Sequence, residues 1–261
     1  MNDSKPTVLV FAGSDPSGGA GISADILAVA AQGAHALPVI TALTVQDNDR
    51  VYAVHPVAEQ LIVQQAQTLA DKISIHAIKI GIVANRVNAL ALANWISQYR
   101  SQHPDVHVIL DPVLASGHGD LLSTDSVVDA LAPLLEVATV ITPNLSESAA
   151  LCPGALTVAA QAAHLMQNDA HVLIKGGHGS DALVVNTWFH RDRSTSWQFP
   201  RLPGNFHGSG CTLASALAGQ LALGHAMHHA LDAAQNYCHQ SLQHSYAIAS
   251  GQRIPQRTCT S

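Results

Sequence analysis

Short β-branched or apolar runs alternate with longer Ala-, Leu- and Gln-rich stretches along most of this chain. The runs lie at residues 8–12, 38–44, 75–80, 106–110, 137–141, 172–175 and 182–187. A strand with one wet face alternates apolar and polar residues; an unbroken run is buried on both faces, as in a parallel sheet covered by helices. Helical stretches at 21–32, 57–72, 86–100, 124–135, 145–151, 157–167, 209–223 and 226–250 separate or follow the runs. The pattern predicts an α/β fold, a mostly parallel sheet with helices on both sides. Residues 182–201 carry Trp188, Phe189, Trp197 and Phe199 without helical period, which predicts a local antiparallel pair. No composition break divides residues 1–261, so one domain is expected, with a polar, loosely held tail over 251–261.

Composition excludes several classes of function. Hydrophobic residues make up 48% and charged residues 11%, too apolar and too weakly charged for a disordered chain. A net charge of −6 gives no footing for nucleic acid. No run approaches the roughly 20 apolar residues of a membrane span. The cysteines Cys152, Cys211, Cys238 and Cys259 form no CxxC and no disulfide framework. These features predict a soluble cytoplasmic protein.

The chemistry is expected where strands end, because open α/β sheets bind ligands at the carboxyl edge. Gly13, Asp47, Gly81, Asp111, Pro143 and Gly176 all follow strand candidates. The first loop, Gly13-Ser14-Asp15-Pro16-Ser17-Gly18-Gly19-Ala20-Gly21, is open enough to bring a ligand against the backbone. Gly19-x-Gly21-x-x-Ala24 with Asp47 also fits a dinucleotide fingerprint, but a dinucleotide loop places its first glycine directly after the strand.

The second loop, His207-Gly208-Ser209-Gly210-Cys211-Thr212, opens an Ala/Leu-rich helix. Small residues there expose helix-start N–H groups to an anion. Cys211 falls in the first turn, where the helix field favours a thiolate. The bland alternative is a small buried cysteine. Asn144 and Glu147 are three apart: either a support for hydrated Mg²⁺ or a helix cap with its reciprocal partner. Lys175, before Gly176-Gly177-His178, ends a strand and suits a phosphate as a point charge. The chain has no Walker loop, no GxSxG and no HExxH, and its 16 histidines are scattered.

These segments, in this order, resemble the hydroxymethylpyrimidine/phosphomethylpyrimidine kinases of thiamine biosynthesis, in the ribokinase-like superfamily. The match rests on residues 12–22 with Asp25, Val39-Ile40-Thr41-Ala42-Leu43 with Gln46, Lys79-Ile80-Gly81 and Asp111-Pro112-Val113. Thr142-Pro143-Asn144-Leu145 with Glu147, Lys175-Gly176-Gly177-His178 and residues 207–212 complete it. The resemblance implies a ribokinase-like three-layer α/β/α sandwich, ATP and Mg²⁺ as cofactors, a pyrimidine substrate and a homodimer. It implies pyrimidine-binding roles for Gly13, Asp25, Gln46, Ile82 and Val113. Asn144, Lys175, Gly208 and Gly210 take the nucleotide, and Glu147 and Asp111 the metal. Gly208, Ser209 and Gly210 form the anion hole, with Cys211 as catalytic base. The chain departs from the family at Asp47-Asn48-Asp49-Arg50, at the shortened segment 115–120, at Gly204-Asn205-Phe206, and in its ending, which lacks the usual Gly-Pro-Val. These departures leave two alternatives: a pyridoxal-type vitamin kinase and a non-catalytic pyrimidine-binding paralogue.

Overall fold

The computed structural model describes residues 4–114, 127–177 and 181–258. The strands are β1 (Thr7–Ser14), β2 (His35–Gln46), β3 (Val51–Pro56), β4 (Ala77–Ile80), β5 (His107–Leu110), β6 (Val140–Ile141), β7 (His171–Ile174), β8 (Leu183–His190) and β9 (Arg193–Pro200). The helices are α1 (Gly21–Ala31), α2 (Glu59–Ala70), α3 (Arg86–Gln102), α4 (Val127–Val137), α5 (Leu145–Leu151), α6 (Val158–Leu165), α7 (Ser209–Ala222) and α8 (Met227–Gln243).

The strands form one nine-stranded sheet in the order β3-β2-β1-β4-β5-β6-β7-β8-β9. The six strands from β2 through β7 in that order are parallel, and β3, β8 and β9 are antiparallel to their neighbours. The central strands β1, β4, β5, β6 and β7 are buried on both faces, as their apolar runs predict, whereas the runs at 38–44 and 182–187 keep exposed residues, Leu43, Leu183 and Val185 among them. Along β1, Leu9 and Phe11 face one core with Ile62 of α2, Leu92 and Trp95 of α3 and Leu134 of α4. Val8 and Val10 face the other, with Val29 of α1, Leu217 of α7 and Leu231 of α8. That is a three-layer α/β/α arrangement. Each fully buried Leu, Ile or Phe contributes about 1.5–3 kcal/mol, so both layers are strongly anchored to the sheet.

The expected antiparallel pair over 182–201 is the β8–β9 hairpin. Three expectations are corrected. The strand β3 follows a tight turn in which Asp47 Oδ1 accepts from the amides of Asp49 and Arg50, at 2.8 Å each. It is an edge strand with little buried surface, so it lacks the apolar run by which the others are read. The last helix ends at Gln243 rather than Ser250. The polar tail is not loose: Gln252, Ile254, Pro255 and Arg257 are buried. Asn48 of the β2–β3 turn donates to the carbonyls of Ser250 (3.0 Å) and Gln252 (3.1 Å), binding the tail to the hairpin. The expectations for the 115–120 segment, the start of the 124–135 helix, His178 and Cys259 fall outside the described residues.

Candidate active site

Both glycine loops leave the carboxyl edge of the sheet and pack against each other. Asp15 organises the first. Its carboxylate accepts from the amide (2.8 Å) and hydroxyl (2.9 Å) of Ser17 and from the amide of Ala20 (2.7 Å). His207, from the second loop, places Nε2 2.8 Å from Asp15 Oδ2. Burial pushes the Asp15 carboxyl up, but its hydrogen bonds to His207 and Ser17 outweigh that and hold it below the usual carboxylate value. The Gln46 amide lies 3.3 Å from His207 Nε2, joining the end of β2 to the same cluster. The sequence names Asp15 and His207 only as motif members; an acid two residues before a serine in a glycine loop is the local signal for such a turn.

Gly208 precedes α7 with φ +75°, a left-handed conformation that favours glycine. A Cβ there would stand 2.2 Å from the carbonyl oxygen of Gly19, so the two loops can touch only through a glycine. No side chain caps α7, as none caps α1, α2 or α8, whereas Asn85, Asn144 and Thr157 cap α3, α5 and α6; of the uncapped starts, that of α7 faces Lys175 and Asp111. Its first-turn amides are therefore left to an incoming anion. A Cβ on Gly210 would lie 3.3 Å from Lys175 Nζ and 3.4 Å from Asp111 Oδ2. The start of α7 thus abuts the strand ends that carry those two side chains.

Lys175 and Asp111 form an ion pair at 2.8 Å, with Lys175 keeping 12% of its side-chain surface exposed. Asn144 and Glu147 form a reciprocal capping box: Glu147 Oε2 accepts from the Asn144 amide at 2.7 Å, and Asn144 Oδ1 from the Glu147 amide at 2.8 Å. Of the two readings left open for this pair, the cap is the arrangement observed. Burial pushes the Glu147 carboxyl up to about 7; Lys175 opposes the rise and Asp111 adds to it. Where Glu147 is ionised, above about pH 7, two carboxylates stand near one ammonium and leave excess negative charge. Hard oxygen donors with that imbalance fit a Mg²⁺ that keeps much of its water.

Beneath the loops lies a pair that the sequence does not announce. Lys79 and Asp25 are both fully buried and meet at 2.8 Å, and Ser215 of α7 donates to Asp25 Oδ1 at 2.6 Å. Burial alone would lower the Lys79 ammonium, but Asp25, aided by Cys211 and Asp111, raises it. Asp25, expected at a pyrimidine-binding position, has no exposed surface and is the counter-ion of Lys79. Ile82 lies over Gly13, its Cβ 3.7 Å from where a Gly13 Cβ would be. Val113 is half-buried two residues beyond Asp111.

Cys211 is partly exposed, in the first turn of α7, and its sulfur is within reach of the Gly21 amide beside Gly13. Its expected thiolate state is corrected. Loss of hydration pushes the thiol up to about 11; Lys79 pulls it down, and Asp25 and Asp111 push it further up. Lost hydration is the largest of these influences, so the group is a thiol at neutral pH.

The comparisons with known proteins agree with this geometry. A hydroxymethylpyrimidine/phosphomethylpyrimidine kinase of Rhizobium meliloti is 34% identical over 252 residues, covering 94% of this chain and 93% of the relative. One of Mycobacterium tuberculosis is 36% identical over 262 residues, covering 94% and 91%. Among solved structures, an ADP complex of Bacillus subtilis pyridoxal kinase matches with a TM-score of 0.84 at 25% identity, covering 97% of this chain and 98% of that one. The phosphomethylpyrimidine kinase of Clostridium difficile matches with a TM-score of 0.76 at 29% identity, covering 91% and 100%. The family model described as phosphomethylpyrimidine kinase matches residues 15–256, from the first glycine loop through the second and into the buried tail, and the chain belongs to that family.

Proposed function

We propose that this chain transfers the γ-phosphoryl group of ATP to the hydroxymethyl oxygen of 4-amino-5-hydroxymethyl-2-methylpyrimidine, and then phosphorylates the resulting monophosphate, in thiamine biosynthesis. The observation that carries the reading is the uncapped start of α7, pressed against the first glycine loop on one side and the Lys175–Asp111 pair on the other. An anion held by the 208–211 amides sits between a pyrimidine loop and a phosphate-side lysine, as in-line phosphoryl transfer needs.

Gly13, Gln46, Ile82 and Val113 take the pyrimidine, with Asp25 supporting from below through Lys79. The Gly208, Ser209 and Gly210 amides stabilise charge on the transferring group. Lys175 and the α7 start hold the nucleotide phosphates beside Asn144. Asp111 and Glu147 would hold Mg²⁺, which supplies charge neutralisation at the phosphates when bound. Cys211 receives the hydroxyl proton through the small fraction that is thiolate. The second nucleophile, a phosphate oxygen, is already anionic and needs no base. We place the protein in the cytoplasm as a homodimer; no described helix is long and apolar enough to cross a membrane.

One specific observation favours a second substrate: the Bacillus subtilis pyridoxal kinase superposes over 97% of this chain with a TM-score of 0.84. Steady-state kcat/KM for the hydroxymethylpyrimidine and for pyridoxal, measured side by side with ATP, separates the two. The pyrimidine is expected to be preferred by at least tenfold; preference for pyridoxal overturns the assignment. Tight pyrimidine binding without ATP consumption selects the non-catalytic paralogue.

A further inference from the structure

The buried tail carries a charge to the back of the anion hole. Arg257 is 2% exposed, and its guanidinium meets only neutral oxygens. Its Nε donates to Thr212 Oγ1 at 2.8 Å, and Nη2 donates to the Gly19 carbonyl at 2.6 Å. Longer contacts run from Nη2 to the carbonyls of His207 (3.3 Å) and Gly208 (3.4 Å). Thr212 Oγ1 in turn donates to Gly208 O at 2.8 Å, and the Arg257 carbonyl accepts from Tyr237 of α8 at 2.8 Å. Among the described residues no carboxylate pairs with Arg257. An arginine buried only for stability would ordinarily have an acidic partner, since an uncompensated buried charge is costly.

Its placement has a consequence for the amides. In a trans peptide the C=O and the N–H point in opposite directions. Drawing the carbonyls of His207 and Gly208 onto Arg257 therefore turns the N–H groups of Gly208 and Ser209 away from it. The same hold on Gly19 fixes the Ala20 amide, which donates to Asp15. One side chain thus sets the orientation of both glycine loops and adds a permanent positive charge behind them. We propose that Arg257 is a positioning residue for phosphoryl transfer: from the C-terminal segment it aims the 208–209 amides at the migrating phosphoryl group and supplies the cation that balances it. This rests on the kinase reading above.

The test compares Arg257→Gln, which loses charge and fork, with Arg257→Lys, which keeps the charge. Measured are kcat with the hydroxymethylpyrimidine and ATP, the Kd of the pyrimidine without nucleotide, and the melting temperature. Expected is a kcat lower by about 10- to 100-fold in Arg257→Gln, less than the roughly 10²–10³ of losing a direct donor. Arg257→Lys should lose about 3- to 10-fold by the same reasoning, and the pyrimidine Kd should stay within about threefold in both. Wild-type kcat in Arg257→Gln overturns the proposal. So does a loss in which Lys is no better than Gln and the pyrimidine Kd weakens in proportion, which is the mark of a strap only. If Arg257→Gln does not fold, Arg257→Lys decides: wild-type kcat overturns the proposal, and a reduced kcat with unchanged Kd supports it. Wild-type protein that does not phosphorylate the pyrimidine at all overturns the kinase reading itself, and the proposal with it.

Discussion

The state of Cys211 gives a prediction with a slope. Its thiol is pushed up to about 11, chiefly by lost hydration. The thiolate fraction is then about 10⁻³ at pH 8 and about 10⁻¹ at pH 10, tenfold per pH unit. If that thiolate takes the hydroxyl proton, kcat for the hydroxymethylpyrimidine rises about 100-fold over this range. Phosphorylation of the monophosphate stays level, because its nucleophile is already ionised. The comparison is internal. Glu147, pushed up to about 7, is ionised before the window opens. Lys79 is raised by Asp25 and stays charged across it. The assay is ADP release at saturating ATP with each substrate in turn, with circular dichroism at each pH to show that the fold persists. Cys211→Ala should lower the first step by roughly 10²–10⁴ and flatten its profile while sparing the second. A level profile for the hydroxyl substrate, or a parallel rise for both, refutes Cys211 as the base.

Three further outcomes are expected. Lys79→Met leaves Asp25 fully buried without its cation and should cost about 3–5 kcal/mol in urea unfolding, while Lys79→Met/Asp25→Leu recovers most of it; equal losses in both variants contradict the pairing. Gly208→Ala drives a Cβ to 2.2 Å from Gly19 O, so kcat should fall at least about 100-fold, and unaltered kcat would show that the loops do not meet there. The lowered Asp15 carboxyl contributes stability that is present above the unfolded value of 3.8 and is lost as pH falls through its lower folded value. Acid unfolding of Asp15→Asn should therefore be less steep below pH 3.8 than wild type, and identical curves contradict the His207 contact.

Where the sequence predicts well, the determinant is local. The runs around Leu9, Ile78 and Val108 are buried on both faces, so apolar continuity alone identifies the strands. Gly208 and Gly210 stand out because a bare helix start can be recognised from neighbouring small residues. Where it fails, the determinant is distant in the chain. Lys79 sits in an apolar strand 54 residues from its partner Asp25, and nothing near either predicts their burial as a pair. Arg257 lies in a polar ending that reads as loose, yet its carbonyl partner Gly19 is 238 residues away. The Cys211 thiolate is expected from the helix field, a local property; its lost hydration and the charges of Asp25 and Asp111, which push the thiol up, come from tertiary packing. The edge strand β3 escapes because it buries too little to need an apolar run.

The central claim is that the amides at residues 208–211 hold a phosphoryl group in transit to a pyrimidine. Phosphorus NMR of the wild-type protein with ATP, Mg²⁺ and the hydroxymethylpyrimidine follows that group directly. The account predicts a phosphate-monoester resonance growing in step with ADP, then the paired resonances of a diphosphate ester. A pyrimidine that binds while the ATP spectrum stays unchanged contradicts it.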